Sequence, residues 1–79
     1  MYFVYVLKST KRNYHYIGIS NNLSRRINQH NKGYNKTTKP YTPFKLIYSE
    51  KYPDRVSART REKQLKSGCG REFIRKIDI

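Results

Sequence analysis

The chain begins with two short apolar runs separated by a polar stretch. Residues 2–7 are all aromatic, β-branched or aliphatic, and residues 14–19 are similar apart from His15 and Gly18. Both compositions favour β-strands, and two such runs joined by the polar residues 8–13 predict an antiparallel hairpin. Gly18 inside the second run predicts either a bulge or a close approach by another backbone or a ligand.

Helical spacing follows the hairpin. Leu23, Ile27 and His30 recur at i, i+4 and i+7, which is typical of one face of a helix. Residues 20–22 offer side-chain oxygens that can cap the start of this helix, and Gly33 is placed to end it.

The second half of the chain predicts one more strand and two helices. Residues 44–52 have alternating character, interrupted by two lysines, and predict a third strand. Pro53 and Asp54 then mark the start of a helix that runs to about Lys66. The two glycines in residues 67–70 predict a sharp turn before a last short helix.

These elements occur in the order strand, strand, helix, strand, helix, helix. The order predicts one α+β domain over residues 1–79, with a three-stranded, mainly antiparallel sheet flanked by helices. A polar loop with two prolines, residues 34–43, connects the first helix to the third strand. A loop of this length in a small domain is more often functional than idle.

The net charge of the chain says more about its function than its length does. Eighteen Lys and Arg face five Asp and Glu, giving a net charge of +13, and the first acidic residue is Glu50. Because self-repulsion destabilises a small fold, this balance predicts a polyanionic partner, and nucleic acid, DNA in the first instance, is the leading class. The alternative is a basic surface that serves only solubility. No segment combines a wide apolar face with a basic one, which disfavours a membrane surface.

Chain length and cysteine content limit the size of the core and the kinds of cross-link that the protein can contain. With 79 residues, of which 35% are hydrophobic, the core must be small and partly built from the eight tyrosines. The single cysteine, Cys69, excludes an intramolecular disulfide, and no set of His and Cys has structural zinc spacing. No apolar run approaches a membrane span, and Met1 leads directly into a strand pattern. We therefore expect a cytoplasmic protein that acts as a monomer.

Two tyrosines on neighbouring strands are the first candidates for chemistry. Strand alternation allows Tyr5 and Tyr16 to lie on the same face of the sheet, close to one another. Buried hydroxyls need partners, so a pair of them invites water, a phosphate or an ionised neighbour. The ordinary alternative is that both are core aromatics.

Arg26 and His30 lie four residues apart on the predicted first helix. A guanidinium can bind a phosphate through two parallel hydrogen bonds, and an imidazole can accept or pass a proton near neutral pH. The alternatives are a solvated cation and a histidine that packs against the sheet.

Glu62 is predicted to share a helix face with Ala58 and Leu65. A partly buried carboxylate in so basic a protein needs a cationic partner or a metal ion. The alternative is an ion pair with a basic residue of the same helix, which would be Arg59, Lys63 or Lys66.

In this order and spacing, the residues resemble the GIY-YIG nuclease superfamily, in particular its small standalone bacterial members. Residues 3–5 (Phe-Val-Tyr) stand where the family has Gly-Ile-Tyr, and residues 16–18 (Tyr-Ile-Gly) match its second triplet. The later family positions are a phosphate-binding arginine, a Tyr or His four residues on, and a single metal-binding glutamate. Here they correspond to Arg26, His30 and Glu62. The resemblance covers essentially the whole chain.

The resemblance implies metal-assisted hydrolysis of a phosphodiester by a structure-selective or weakly specific DNA endonuclease. Tyr16 would activate the attacking water with help from Tyr5 and His30, and Arg26 would stabilise charge on the phosphate. Glu62 would hold one ion, Mg²⁺ or Mn²⁺, because a lone carboxylate completed by waters and phosphate oxygens suits a hard cation.

Further contacts to nucleic acid are predicted along the first helix and the loop after it. The loop lysines lie between aromatic residues, an arrangement suited to a phosphate backbone or to exposed bases. The residues concerned are Arg25, Lys32, Tyr34, Lys36 and Lys39.

The chain departs from the family pattern at three points. Phe3 replaces the first glycine, Ile19 stands where some members carry a lysine, and no asparagine follows Glu62 about one helix later. The missing lysine and asparagine favour a second hypothesis, a catalytically silent nucleic-acid-binding module with the same fold. A third is a partner-binding domain with a tyrosine contact patch, made of Tyr34, Tyr41, Tyr48 and Tyr52.

Overall fold

A three-stranded antiparallel sheet forms the centre of the fold. Strand β1 (Tyr2–Ser9) lies between β2 (His15–Ser20) and β3 (Phe44–Tyr52), so that the order across the sheet is β2-β1-β3. Strand β1 is two residues longer than predicted, and β2 is shifted by one residue. Lys8 pairs with His15, and Ser9 extends the pairing of β1 with β3.

Three helices flank the sheet: α1 (Leu23–Asn31), α2 (Arg55–Leu65) and α3 (Gly68–Ile77). One short 3₁₀ turn, η1 (Lys39–Tyr41), interrupts the predicted polar loop. The predicted α+β fold and its order of elements are confirmed.

The computed structural model describes residues 1–34 and 36–77. Asn35, in the predicted loop, and residues 78–79 lie outside the described part. No helix within the described ranges is both long and apolar enough to span a bilayer.

Burial of β1 on both faces explains its unbroken apolar run, since Val4, Tyr5, Val6 and Leu7 are all fully buried. On one face the two valines pack beneath α2 and α3, against Ala58, Leu65 and Ile74. On the other face Tyr5 and Leu7 pack with Phe44 and with aromatic and aliphatic residues of β2 and α1, including Tyr16, Leu23 and Ile27. The candidate tyrosines lie on this second face, whereas Glu62 belongs to α2, which packs on the first.

Helix α1 begins and ends where its flanking residues predict. The Asn22 side chain accepts a hydrogen bond from the Arg25 backbone N–H at 3.1 Å, which caps the first turn. After the last turn, Gly33 has φ +77°, the left-handed conformation that glycine adopts without strain.

The bulge considered at Gly18 is not there. Pairing between β1 and β2 is continuous, and the irregularity lies instead between β1 and β3, where Val6 pairs with Tyr48 but Leu7 pairs with Leu46. Ile47 is therefore the extra residue of a bulge in β3. Gly18 lies in β2, the opposite edge strand.

The sharp turn attributed to the glycines of residues 67–70 is also wrong in its cause. Both glycines lie within α3, and neither has a positive φ. Gly70 is required for a different reason: a Cβ at this position would lie 2.2 Å from the Leu65 carbonyl oxygen. The absence of a side chain lets α3 pack directly against the end of α2.

Candidate active site

Tyr5 is positioned by the missing side chain of its cross-strand partner. Tyr5 pairs with Gly18 in the β1–β2 ladder. A Cβ built on Gly18 would lie 2.6 Å from the Tyr5 hydroxyl oxygen and 2.8 Å from the Cζ of its ring. The approaching group is therefore an aromatic side chain, not the backbone or ligand expected from the sequence. Gly18 allows the Tyr5 ring to lie flat across β2.

Tyr16 lies beside Tyr5 on the same face of the sheet. The register places Tyr16 opposite Leu7, diagonal to Tyr5, and the two tyrosine ring centroids are 6.3 Å apart. The Tyr16 ring also contacts His30, with 4.6 Å between centroids. The hairpin and α1 thus bring two phenols and an imidazole together.

His30 is buried, with 1% of its surface exposed, and both ring nitrogens have partners. Nε2 lies 3.3 Å from the Tyr5 hydroxyl, and Nδ1 lies 3.2 Å from the Thr38 Oγ1. One neutral tautomer accepts the Tyr5 O–H and donates to Thr38, and the other reverses both bonds. Burial lowers the pKa of His30 and the charge of Arg26 lowers it further, so the imidazole is neutral near neutral pH.

Arg26 completes the cluster. Its Nη1 donates to the Gln29 Oε1 at 3.2 Å, and its guanidinium is within hydrogen-bonding reach of the Tyr5 and Tyr16 hydroxyls. The bond with Tyr5 is the main reason that the pKa of Arg26 is raised. The guanidinium therefore stays charged and is held at the phenol oxygens.

Burial is the largest influence on the Tyr5 hydroxyl and raises its pKa. The hydrogen bond from Arg26 acts in the opposite direction, while the nearby Tyr16 and Glu62 add to the increase. The net effect leaves Tyr5 protonated near neutral pH, able to donate its proton to His30 or to a water.

Glu62, on α2, acts on the cluster through its charge. Its charge acts on Tyr5, and its side chain is only 13% exposed, as its place between the buried Ala58 and Leu65 predicts. The carboxylate forms ion pairs with the Lys66 Nζ at 3.2 Å and the Arg59 Nε at 3.8 Å. The alternative of an ion pair within the helix is thus present, on the side chain whose charge acts on Tyr5.

The structure offers a divalent metal one carboxylate and little else from protein. No group of three or more His, Cys, Asp or Glu within residues 1–34 and 36–77 is arranged to hold a metal ion. Glu62 alone fits a hard cation that takes its remaining ligands from water and from substrate oxygens, and it does not fit zinc.

The residues predicted to contact nucleic acid lie at the surface of the protein. Tyr34 is 71% exposed, and the four cations are exposed as well. Arg25 lines the same cleft as Arg26. The Lys39 side chain passes over Gly33, where a Cβ would lie 3.2 Å from the Lys39 Cγ. Their role in binding stays a prediction.

Two residues of the site were missed from the sequence, Thr38 and Gln29. Gln29 is three residues after Arg26 on α1, so helical spacing could have identified it. Thr38 is fully buried, although it lies in a polar loop, and no local pattern indicates that it contacts His30.

The sequence was compared with models of known protein families, and one of them matches. The model of the GIY-YIG catalytic domain matches residues 1–73. The chain belongs to the GIY-YIG family. The predicted resemblance is therefore confirmed, and the family is one of nucleases, whose substrates are nucleic acids.

The similar proteins carry the family name UPF0213. One from Clostridium perfringens is 39% identical over 84% of this chain and 71% of the relative. Another from Staphylococcus aureus is 31% identical over 96% of this chain and 93% of the relative. The solution NMR structure of a UPF0213 protein from Bacillus halodurans matches with a TM-score of 0.57 and 27% identity, covering 98% of this chain and 85% of that one.

Proposed function

We propose that the protein is a metal-dependent endonuclease that hydrolyses phosphodiester bonds in DNA, with structural or weak sequence selectivity. The observation that carries the proposal is the convergence of Tyr5, Tyr16, His30 and Arg26 at one point, within reach of the charge of Glu62. This set combines proton acceptors, a fixed cation and a carboxylate around a place where a phosphate can bind.

Tyr16 would take the proton of the attacking water after releasing its own hydroxyl proton to solvent, while Tyr5 and His30 would hold the site in place. Tyr16 is half-buried and lies at the edge strand of the sheet, so its hydroxyl is the one that meets water and substrate. Tyr5 is fully buried, and it orients Tyr16 and Arg26. The neutral His30 accepts the Tyr5 O–H in one tautomer, which holds the buried phenol in place beside Arg26.

Arg26 binds the scissile phosphate. Its hydrogen bonds to Gln29 and the tyrosines fix the guanidinium before substrate arrives, so less conformational entropy is lost on binding. Glu62 would hold the metal by exchanging its ion pair with Lys66 for a bond to the cation. A bound Mg²⁺ or Mn²⁺ would supply Lewis-acid polarisation of the phosphate and stabilise charge on the leaving oxygen.

The surface suits a polyanion on both sides of the cluster. A cleft next to Arg26 contains three arginines, and a groove between β2 and α3 is lined by Lys66, Arg71 and Arg75. We take DNA as the substrate and the monomer as the active form, in the cytoplasm.

The test is cleavage of nicked, flapped, branched and single-stranded DNA by the parent protein, Glu62→Ala and Tyr16→Phe, with Mg²⁺ or Mn²⁺. Both variants should lose at least about a hundredfold in cleavage rate, since each removes a group that acts in the transition state. DNA affinity of Glu62→Ala, measured with EDTA, should be unchanged or slightly higher, because a negative charge has been removed.

Glu72→Ala is the matched control, because it removes an exposed carboxylate from α3 and should leave cleavage intact. If the parent binds these DNAs and cuts none of them with either ion, the silent binding module is the better description. Equal cleavage by the parent and Glu62→Ala would show that the site is misassigned.

A further inference from the structure

Three arginines from two helices line one cleft beside the candidate active site. Arg25 and Arg26 come from α1 and Arg55 from the start of α2, and we call this space the arginine cleft. Ile19 and five residues with polar side chains complete its wall, and the five are Tyr2, Ser20, Asn21, Asn22 and Gln29. No acidic residue is among the residues that line it.

Two of the three arginines have no ion pair and no side-chain hydrogen bond within the described part of the chain. Arg26 is held by Gln29 and the tyrosines. Arg25 and Arg55, by contrast, form no ion pair and no side-chain hydrogen bond within residues 1–34 and 36–77. Holding like charges in one concave space costs folding free energy, and the cost is offset when an anion binds between them.

The chemistry of the cleft selects phosphate. Guanidinium groups form paired hydrogen bonds with phosphate oxygens, and hydroxyl and amide donors along the wall can complete the set. Arg26 and Gln29 also line the adjacent pocket that contains His30 and Tyr34, so the arginine cleft is continuous with the catalytic cluster. An anion in the cleft would therefore neighbour the phosphate that Arg26 contacts.

We propose that the arginine cleft binds a second phosphodiester phosphate of the substrate, next to the scissile one, through Arg25 and Arg55. The inference rests on the proposed function in taking nucleic acid as substrate. It adds Arg55, which no sequence pattern singled out, and it assigns Arg25 to one phosphate. The second contact fixes the direction of the strand across Tyr16 and so determines which bond is presented for cleavage.

The test compares short thymidine oligonucleotides in metal-free buffer with EDTA, by NMR titration of the parent and of three variants. The tetranucleotide, with three phosphodiesters, should bind the parent about tenfold more tightly than the dinucleotide, with one. Arg55→Ala and Arg25→Ala should lose most of this gain while binding the dinucleotide almost normally. Lys63→Ala, which removes a cation from α2 outside the cleft, should keep it.

The position of binding is read from the side-chain N–H signals of the arginines. Those of Arg25 and Arg55 should shift with the tetranucleotide. If signals of Arg71 and Arg75 shift instead, or if Lys63→Ala loses as much of the gain as Arg55→Ala, the proposal is overturned. The ¹H–¹⁵N spectrum of each variant verifies that it is folded.

These outcomes are independent of catalysis. A parent protein that shows the Arg55-dependent gain but cuts no DNA with Mg²⁺ or Mn²⁺ retains the phosphate site and lacks the nuclease function. A parent that cuts DNA but shows no such gain retains the nuclease function and lacks the site.

Discussion

At the scale of single residues, the site depends on Gly18 as much as on its chemical groups. The Tyr5 ring occupies the space that any larger residue at position 18 would need, and its hydroxyl is aligned with the buried His30 only in that position. Because Tyr5 is also fully buried under α1, it cannot move outward without opening the core.

Gly18→Ala should therefore reduce both stability and activity. A Cβ 2.6 Å from the Tyr5 oxygen forces the ring to shift, and overpacking of this kind costs roughly 1–3 kcal/mol of unfolding free energy. Urea denaturation measures the loss, and the cleavage assay measures displacement of Tyr5.

Gly68→Ala is the control for this substitution, because nothing lies within 4 Å of a Cβ at the start of α3. It should be neutral or slightly stabilising. If Gly18→Ala is as stable as Gly68→Ala, the tight contact between Tyr5 and Gly18 is not a feature of the protein in solution.

The residues that the sequence identified and those it missed differ in the range of their contacts. Arg26 and His30 follow from helical spacing, and Tyr5 and Tyr16 from strand alternation, both of which are local patterns. Thr38 reaches His30 only because the loop after α1 folds back, a path that no spacing encodes. The hypothesis for Glu62 left a metal and an ion pair open, and the structure shows the ion pair.

At the scale of elements, one carboxylate ties β3 to α2. The Tyr48 and Tyr52 hydroxyls both donate to Glu50, and the Arg61 Nε donates to its two oxygens at 3.0 and 3.2 Å. The Arg61 guanidinium also lies 5.5 Å from the centroid of the Phe73 ring of α3. The first acidic residue of the chain thus joins the edge strand to both C-terminal helices.

This link predicts a loss of stability in acid. Burial alone would raise the pKa of Glu50, but the bonds from Tyr48, Tyr52 and Arg61 outweigh it and lower the pKa. A carboxyl whose pKa is lower in the folded state stabilises the protein fully above its unfolded pKa, about 4.3, and loses that contribution as the pH falls through the folded value. The unfolding free energy should therefore drop below about pH 4.

Glu50→Gln isolates the effect. At pH 7 this variant should be less stable than the parent by about 1–2 kcal/mol, a figure reduced for the partial exposure of the pair. The difference should shrink as the pH falls to about 3, because protonation then removes the same charge from the parent. Glu72→Gln, at an exposed position, should show no such convergence, and a constant difference for Glu50→Gln would contradict the assignment.

The presence of each helix and strand was predicted more accurately than the role of the two glycines at the start of α3. The third strand, residues 44–52, was predicted at its observed bounds, since its pattern is closed by Pro43 and Pro53. The glycines near residue 70 were misread, because a glycine required for close helix packing has the same sequence signature as one in a turn. Only the position of α3 against Leu65 distinguishes the two.

At the scale of the whole molecule, most tyrosines of the hypothetical contact patch are bound to other residues of the fold. Of the four in the proposed contact patch, Tyr41 stacks on Tyr14 with 3.9 Å between centroids, and Tyr48 and Tyr52 bind Glu50. Tyr34 alone among these four is largely exposed. The surface therefore favours a polyanion over a protein partner that binds through aromatic contacts.

The charge of +13 predicts steeply salt-dependent DNA binding, whether or not the protein cuts. If about six cations contact phosphates, affinity should fall by roughly a thousandfold between ~50 and ~200 mM salt, because each contact releases condensed counterions. Fluorescence anisotropy with a labelled DNA in EDTA measures this directly. A peptide nucleic acid of the same sequence, which has bases but no phosphates, is the matched control and should bind weakly at every salt concentration. Equal affinity for both probes, or a flat response to salt, would mean that contacts other than phosphates hold the ligand and would return the tyrosine patch to consideration.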